Sequence, residues 1–287
     1  MNNIKIFDLH SDLPTSNQSL KRSLKIQNFC KKSGFIAINA VYRGSRTLQE
    51  CENLAKEFHS SGAFLSFEDC CFEEIINRDG ASVEENISFL HGRLIKYSPL
   101  YLSLGWNYDN AFCGGCAGGG ELTNSGKYFI SLLNKSGHAV DCAHANQKSF
   151  YQIVEQAKRP ICSHTAFQWI YPHKRNIDKE QVEAILKKGG IIGLIGVGHF
   201  LTGIKGSTKN FEQAFYLHLE NYLNHFGANG LCIGSDFYGS NAPMCSDGDY
   251  TFTQRLQEKL INWGVGVNDR EKILYKNALN FFSLAQE

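Results

Sequence analysis

Six side chains of the kinds that bind divalent cations follow short apolar runs of the sequence. The first run leads into Asp8, His10 and Asp12, and extended backbone points His10 and Asp12 to the same side. A histidine and an aspartate at this spacing can chelate one cation. Four other apolar runs end near Glu68, His144, His164 and Asp236. Three imidazoles and three carboxylates form a nitrogen and oxygen ligand set that suits zinc or a similar divalent ion.

Each of these side chains, taken singly, also has an ordinary structural interpretation. A carboxylate or a histidine at a strand end can cap a helix or pair with a charge in a loop. A histidine close to an aspartate is commonly a hydrogen-bonded structural pair. The placement of such side chains at five strand ends favours a metal site, and a carboxylate that bridges would let the set hold two ions.

Eight apolar runs of strand length position these residues, and stretches with helical spacing lie between them, which is typical of parallel βα units. The predicted strands are Ile4–Leu9, Phe35–Val41, Ala63–Phe67, Leu100–Leu104, Ala139–Cys142, Pro160–Ser163, Ile191–Val197 and Gly230–Gly234. The predicted helices are Leu48–His59, Val83–Tyr97, Ser125–Lys135, Gln147–Ala157, Lys179–Lys188 and Asn210–Phe226.

Eight such units in 287 residues predict a single α/β domain, residues 1–287, folded as a (β/α)8 barrel of the TIM type. An open doubly wound sheet would show the same periodicity, but no G-x-G-x-x-G sequence follows the first strand. Catalytic residues of such barrels come from the carboxyl ends of several strands. The six side chains are therefore expected to meet at one mouth of the barrel, as in a metallo-dependent hydrolase.

The composition restricts the partners and the location that we expect. With 29 Lys and Arg against 28 Asp and Glu the formal net charge is +1, which predicts no nucleic-acid partner. The start of the sequence lacks the apolar segment of a signal peptide, and no apolar run approaches about 20 residues, so we expect a cytoplasmic protein without a membrane partner. The ten cysteines are expected to be reduced thiols. Cys113 and Cys116 form a lone C-x-x-C, a weak signal.

The sequence also resembles the membrane dipeptidase family, the renal dipeptidase type of zinc peptidase. The resemblance extends from Asp8 to Asn277. It rests on six short segments in the family's order: DLHSDLP at 8–14, LSLGWN at 102–107, DCAH at 141–144, SH at 163–164, RN at 175–176 and GSDF at 234–237. The resemblance implies a barrel that carries a binuclear zinc site and hydrolyses dipeptides.

The metal ligands that the resemblance implies are five of the six side chains. His10 and Asp12 correspond to the ligands of one zinc ion, and His144 and His164 to the ligands of the other. Glu68 corresponds to the glutamate that bridges the two ions. Glycines surround that glutamate in the family, whereas this sequence has D-C-C at positions 69–71.

The same resemblance implies the roles of three further residues. Asp236 corresponds to the catalytic carboxylate, and Arg175 to the arginine that binds the carboxylate of the substrate. Trp106 stands where better-known members have a histidine that contacts the substrate, so its indole N–H is a candidate for carbonyl polarisation, with simple packing as the alternative. Tyr238 replaces the second aspartate of the D-F-D-G sequence.

These residues predict the following reaction. A hydroxide that bridges the two zinc ions attacks the peptide carbonyl, and Asp236 carries the proton from the attacking water to the leaving amine. Arg175 restricts the substrates to dipeptides with a free C-terminal carboxylate. Two alternatives stay open: a metal-dependent amidohydrolase that acts on N-acyl amino acids or lactams, and a non-catalytic relative that binds a metal or a ligand. A homodimer is also left open.

Overall fold

Eight parallel strands close into a barrel in a computed structural model of the chain, which describes residues 5–16, 35–60, 64–203, 208–246 and 251–284. Each strand pairs with its neighbour in the chain, and β1 also pairs with β8. The strands are β1 Ile6–Ser11, β2 Phe35–Tyr42, β3 Phe64–Glu68, β4 Tyr101–Ser103, β5 Ala139–Asp141, β6 Pro160–Thr165, β7 Ile191–Ile195 and β8 Leu231–Gly234. The prediction of a TIM-type barrel is confirmed.

Helices connect the strands and surround the barrel. They are α1 Leu48–Ser60, α2 Glu73–Ile76, α3 Val83–Ile95, α4 Asn124–Ser136, α5 Gln147–Gln156, α6 Lys179–Lys187, α7 Gly198–Leu201, α8 Thr208–Phe226, α9 Phe252–Asn262, α10 Val267–Glu271 and α11 Asn277–Phe282. The six predicted helices are confirmed, whereas α2, α7 and the three helices after β8 were not predicted. Among the described residues, no helix combines the length and the apolar character of a membrane span.

The unit formed by α6 and β7 shows how the local sequence sets these elements. The Asp178 side chain accepts a hydrogen bond from the Gln181 backbone N–H, and the Gln181 side chain accepts one from the Asp178 N–H, which is a capping box. The helix ends before Gly189, whose φ is 71°. Gly190 then lets the chain pass Pro160 closely, since a Cβ there would lie 2.2 Å from the Pro160 carbonyl oxygen.

The starts of the strands form an apolar layer that α11 covers. Phe7 in β1 stacks on Phe282 in α11 with ring centroids 6.0 Å apart. Further members of this buried cluster come from the other strands: Ile38, Tyr101, Ala139, Ile161, Ile191 and Cys232. This end of the barrel is therefore a packed core, and the opposite end holds the polar residues that could do chemistry.

Two glycines bring β7 and β8 close to β6 just below its end. A Cβ on Gly193 would lie 1.9 Å from the carbonyl oxygen of Ser163, and a Cβ on Gly234 would lie 2.0 Å from the same oxygen. Only glycine permits an approach this close at both positions. The approach fixes the backbone immediately before His164, which is one of the predicted metal ligands.

Candidate metal centre

The structure brings the six predicted ligand-type side chains together at the carboxyl ends of the strands. Three of them belong to strands β1, β3 and β6, and the other three lie in the turns that follow β1, β5 and β8. The six residues are His10, Asp12, Glu68, His144, His164 and Asp236, and none of them is more than 8% exposed. Side chains that are distant in the sequence therefore form one buried cluster.

Glu68 lies at the centre of this cluster. Its Oε1 is 2.9 Å from Nε2 of His144 and 3.5 Å from Nε2 of His164. Its Oε2 is 3.7 Å from Nε2 of His10. The two oxygens of one carboxylate thus face different histidines, which is the arrangement that a bridging ligand requires.

Two aspartates face His10 from the other side of the cluster. Nε2 of His10 is 3.4 Å from Oδ1 of Asp12 and 3.8 Å from Oδ1 of Asp236. Ligand atoms of these three residues all lie within 4.8 Å of one another, as do those of His10, Glu68 and His164. Asp236, predicted as the catalytic carboxylate, is therefore also close enough to share a cation with His10 and Asp12.

Tyr101 in β4 fixes the orientation of the His10 ring. The tyrosine hydroxyl donates to the carbonyl oxygen of Leu9 at 2.9 Å, and it lies 2.7 Å from Nδ1 of His10. Because the hydroxyl proton is used on Leu9, the hydroxyl accepts from the Nδ1–H of His10. In the neutral ring the lone pair of His10 is therefore on Nε2, which points into the cluster.

The other two histidines are oriented in the same way. Oδ1 of Asn107, a carbonyl oxygen, accepts from Nδ1–H of His144 at 2.9 Å. The hydroxyl of Ser163 donates to Asp141 at 2.7 Å and accepts from Nδ1–H of His164 at 2.8 Å. All three imidazoles thus turn Nε2 toward the cluster, and this is the nitrogen that a metal-binding histidine uses once its ring is neutral.

Asp8 and Asp141 are buried carboxylates that brace the strands. Oδ1 of Asp8 accepts from the backbone N–H of Ser235, which ties β1 to β8. Asp141 accepts from the hydroxyls of Ser103 and Ser163, which ties β5 to β4 and β6. The sequence signal for these contacts is a serine or a carboxylate inside an otherwise apolar strand. The pattern does not specify which residue of another strand becomes its hydrogen-bond partner.

The pKa values in the cluster reflect burial and a high density of carboxylates. Burial lowers the pKa of His10, but Glu68, Asp12 and Asp236 outweigh it and raise that pKa to about 10. Burial, with Asp12 and Asp236 beside it, raises the pKa of Glu68 well above its usual value. Burial and Asp12 raise the pKa of Asp236 to about 7. The raised pKa values of Glu68 and Asp236 are the expected response of carboxyls that lose their hydration beside other carboxylates.

His144 and His164 show the opposite behaviour. Burial, with Arg175 and His10 nearby, lowers the pKa of both imidazoles well below the usual value. Their Nε2 atoms nevertheless lie only 2.9 Å apart. Two unprotonated nitrogens at this distance repel each other unless a positive species lies against both of them.

The unsatisfied atoms of the cluster fit a divalent-cation site. Nε2 of His10, Oδ1 of Asp12 and Oε1 of Glu68 are buried and have no hydrogen-bond partner among the described residues. Buried polar atoms are otherwise satisfied almost everywhere in proteins. Neutral imidazoles and carboxylates are the ligands that zinc takes in sites of this kind. The donor set, its burial and its unpaired atoms agree with a metal centre.

Four residues beside the cluster have left-handed backbone. The φ angles are 58° at Asp69, 70° at His144, 56° at Asp236 and 67° at Tyr238. Residues other than glycine rarely adopt this conformation, and it concentrates at functional sites. The turns after β3, β5 and β8 thus aim their side chains by means of strained backbone.

An open cleft of about 350 Å³ leads to the cluster, and Asp12, Glu68, His144 and Asp236 are among its lining residues. Gly239 also lines this cleft. A Cβ on Gly239 would lie 2.1 Å from Oδ1 of Asp236 and 2.7 Å from Oδ2 of Asp12. The absence of a side chain at this position leaves room for the two carboxylates.

Trp106 also borders the cleft. Its ring centroid is 5.2 Å from that of Tyr42 and 5.8 Å from that of His144. The side chain is half-buried. Trp106 therefore packs against a predicted metal ligand while one part of it faces the space that a substrate would enter.

Arg175 is buried next to the cluster. It is 5% exposed, its Nη2 donates to the carbonyl oxygen of His164 at 3.4 Å, and its Nε has no hydrogen-bond partner. Its guanidinium carbon is 5.5 Å from the ring centroid of Phe200, which lines the main cleft. Arg175 and His144 also border a cavity of about 20 Å³. The positive charge of Arg175 helps to lower the pKa of His144 and opposes the rise in the pKa of Asp236, so it acts on the cluster.

An eight-stranded barrel with buried histidines and carboxylates at the carboxyl ends of its strands is the architecture of a metal-dependent hydrolase. The chain belongs to the membrane dipeptidase family, peptidase family M19, whose model matches residues 79–287. The resemblance seen in the sequence is therefore confirmed. The matched segment includes His144, His164 and Asp236, whereas the segment that carries His10 and Glu68 precedes it and joins the site through the fold.

Curated relatives have modest identity to this chain. A protein of Klebsiella pneumoniae from the pqqA 5′ region is 28% identical over 185 residues, which are 61% of this chain and 68% of the relative. Dipeptidase tcpJ of Claviceps purpurea is 24% identical over 55% of this chain and 37% of its own length. Dipeptidase 3 of Rattus norvegicus is 23% identical over 58% of this chain and 34% of its own length. The chain thus spans only about a third of the two named dipeptidases.

Solved structures share the fold over nearly the whole chain. A metallopeptidase of family M19 called dipeptidase AC superimposes with a TM-score of 0.78 at 17% identity and covers 98% of both chains. A metallopeptidase from Rhodobacter sphaeroides, liganded with a phosphinate mimic of the dipeptide L-Ala-D-Ala, gives a TM-score of 0.72 at 17% identity over 99% of both chains. At these identities the structures establish the shared barrel.

Proposed function

We propose that this protein is a zinc-dependent dipeptidase that hydrolyses dipeptides with a free C-terminal carboxylate. The observation that carries the proposal is the convergence of three Nε2 atoms, those of His10, His144 and His164, on the two oxygens of Glu68. Membership of the membrane dipeptidase family supports the reaction class. The dipeptide mimic bound to the Rhodobacter sphaeroides neighbour supports the substrate class.

The donor set divides into two groups around one carboxylate. We assign His10 and Asp12 to one zinc ion and His144 and His164 to the other, with Glu68 between them. The distances of 2.9 to 3.7 Å from the Glu68 oxygens to the three Nε2 atoms support this division. When bound, the two ions lower the pKa of a water molecule toward 7 and polarise the peptide carbonyl.

Asp236 is the group that we assign to proton transfer. It lies at the mouth of the cleft, and burial with Asp12 beside it raises the pKa of its carboxyl to about 7. A carboxylate that lines the cleft beside the predicted metal ligands can accept the proton of the attacking water and deliver it to the leaving amine. Asp236 also faces His10 at 3.8 Å, so its carboxylate can contribute a ligand oxygen on the same side.

Arg175 and Trp106 are the residues that we assign to the substrate. The planar guanidinium of Arg175 matches a carboxylate, and its buried Nε has no partner among the described residues. The bound carboxylate would fix the distance from the C-terminus of the substrate to the scissile bond, which restricts substrates to those that end one residue after that bond. Trp106 and Tyr42 form an aromatic wall of the cleft, where the first residue of the dipeptide would pack.

Metal analysis combined with a substrate panel tests this proposal. The purified protein is expected to contain two equivalents of zinc and to cleave dipeptides faster than their C-terminal amides. A preference for N-acyl amino acids or lactams would replace the dipeptidase by the amidohydrolase alternative. Bound metal without turnover of any amide would favour the non-catalytic relative. A chain that binds no divalent metal would refute the proposal.

The cytoplasmic location stays a prediction from the sequence, and cell fractionation would test it. The homodimer is likewise untested, and sedimentation of the purified protein would measure its mass in solution. Neither point enters the proposed chemistry, because each residue assigned above belongs to one chain.

A further inference from the structure

A glycine-rich loop, residues 113–120, joins two turns of the candidate metal centre. The backbone N–H of Cys116 donates to the carbonyl oxygen of His144 at 2.7 Å, and the N–H of Ala117 donates to that of Asn107 at 2.7 Å. Gly115 also pairs with Ala145 in an isolated antiparallel bridge. The loop therefore connects the turn after β4, which carries Asn107, to the turn after β5, which carries His144.

Backbone hydrogen bonds and a close backbone contact explain why this loop is rich in glycine. The Asp109 carboxylate accepts from the backbone N–H groups of Gly115, Gly119 and Gly120 at 2.9 to 3.1 Å. A Cβ on Gly115 would lie 2.4 Å from the carbonyl carbon of Asn107. The loop is thus packed directly on the Asn107 backbone, which has no freedom to shift away from His144.

The side-chain amide of Asn107 is held from two sides. Its Oδ1 accepts from Nδ1–H of His144 at 2.9 Å and from the thiol of Cys116 at 3.3 Å. Both donors bind the Oδ1 atom, so they select the amide orientation in which Oδ1, and not the NH₂ group, faces His144 and Cys116. Cys116 is the one partly exposed cysteine among the nine in the described ranges, and the other eight are buried.

We propose that Asn107 is a positioning residue for His144 and that the glycine-rich loop, through Cys116, holds Asn107 in place. The inference rests on the proposed function, in which His144 is a zinc ligand. An oxygen that accepts from Nδ1–H keeps the proton off Nε2 and fixes the plane of the ring. The equivalent oxygens for His10 and His164 belong to residues of the barrel strands, Tyr101 and Ser163, whereas Asn107 lies in the turn that the loop supports.

Zinc affinity, measured by competition with a chromogenic chelator, tests the proposal in three variants. Asn107→Leu is expected to weaken binding of one of the two zinc ions by about 10- to 100-fold and to leave the other unchanged. Asn107→Asp, whose carboxylate accepts the same proton, is expected to stay within about threefold of wild type. Asn53→Leu, an exposed asparagine in α1, is the matched control and is expected to bind both ions normally.

Two further measurements separate positioning from a structural role. The metal-free Asn107→Leu protein is expected to unfold at the wild-type temperature, because the loop keeps its backbone hydrogen bonds. Cys116→Ser keeps a donor and is expected to retain wild-type affinity, whereas Cys116→Ala is expected to lose part of it.

The outcomes also separate this inference from the proposed function. Wild-type affinity for both ions in Asn107→Leu would overturn the inference and leave the proposed function intact. An affinity loss that Asn107→Asp does not restore would also overturn it. A wild-type protein that binds no zinc would refute the proposed function itself.

Discussion

Replacement of His218 by glutamine is expected to make this fold less sensitive to acid. His218 lies in α8 and is fully buried. Its Nδ1 accepts from the backbone N–H of Phe167 at 3.1 Å, and its Nε2 lies 3.0 Å from the carbonyl oxygen of Leu201, to which it donates. These two bonds require the neutral ring, because a protonated Nδ1 could not accept from Phe167.

The magnitude follows from the pKa of His218 in the two states. Burial lowers that pKa to about 4 in the folded protein, against 6.5 in the unfolded chain. Between these values the unfolded state binds more protons, so stability is lost as the pH falls from 6.5 toward 4. From pH 7.5 to pH 4.5 this histidine alone is expected to remove about 2.5 kcal/mol from the free energy of unfolding. Neutral glutamine can offer an acceptor and a donor without titrating.

Urea unfolding of metal-free protein at pH 7.5 and 4.5 measures the effect, and a chelator in all samples keeps the pH dependence of metal binding out of the comparison. Other buried groups titrate in both proteins, so the difference between wild type and His218→Gln isolates His218. The variant is expected to lose about 2.5 kcal/mol less than wild type over this range. Equal losses in the two proteins would refute the assignment of His218 as a buried neutral histidine.

Three substitutions test the site directly. Asp236→Asn is expected to retain two equivalents of zinc while kcat falls by about 10²- to 10⁴-fold, and unchanged turnover would remove Asp236 from the proton-transfer role. Arg175→Met is expected to cost about 1.5 to 3 kcal/mol in kcat/KM for a dipeptide and almost nothing for its C-terminal amide; equal losses for both would contradict a carboxylate contact. Gly239→Ala introduces a methyl group 2.1 Å from Oδ1 of Asp236, so both zinc affinity and turnover are expected to decline. Ser240 also lines the cleft, and Ser240→Ala is the control.

The barrel was predictable because its strands are short apolar runs that end in polar residues. Each observed strand overlaps its predicted run, and the bounds differ by two residues or fewer wherever the predicted bound is a described residue. The predicted starts Ile4 and Ala63 lie outside the described residues. Helices α2 and α7 escaped prediction because four residues are too short to show a helical period. The three helices after β8 were missed although α9 is amphipathic, with buried Phe252, Leu256 and Leu260 at helical spacing.

The ligand types of the site were predictable, whereas the groups that orient them were not. His10 and Glu68 could be recognised because a histidine or a carboxylate at a strand end is unusual there. Tyr101, which orients His10, lies 91 residues away, and nothing in its local sequence specifies that partner. Asn107 was recognised only as part of a motif, because its contact with His144 depends on a loop that crosses between two turns.

The left-handed turns of the metal centre carry a cost that the function imposes on the fold. His144 and Asp236 adopt φ angles of 70° and 56°, which cost on the order of 1 kcal/mol or more each relative to glycine. Glycine would relieve the strain at both positions but would remove the side chains that we propose as a zinc ligand and as the proton carrier. Selection for stability and selection for catalysis therefore oppose each other at these turns, and a lineage that lost the activity would be free to drift toward glycine or asparagine there.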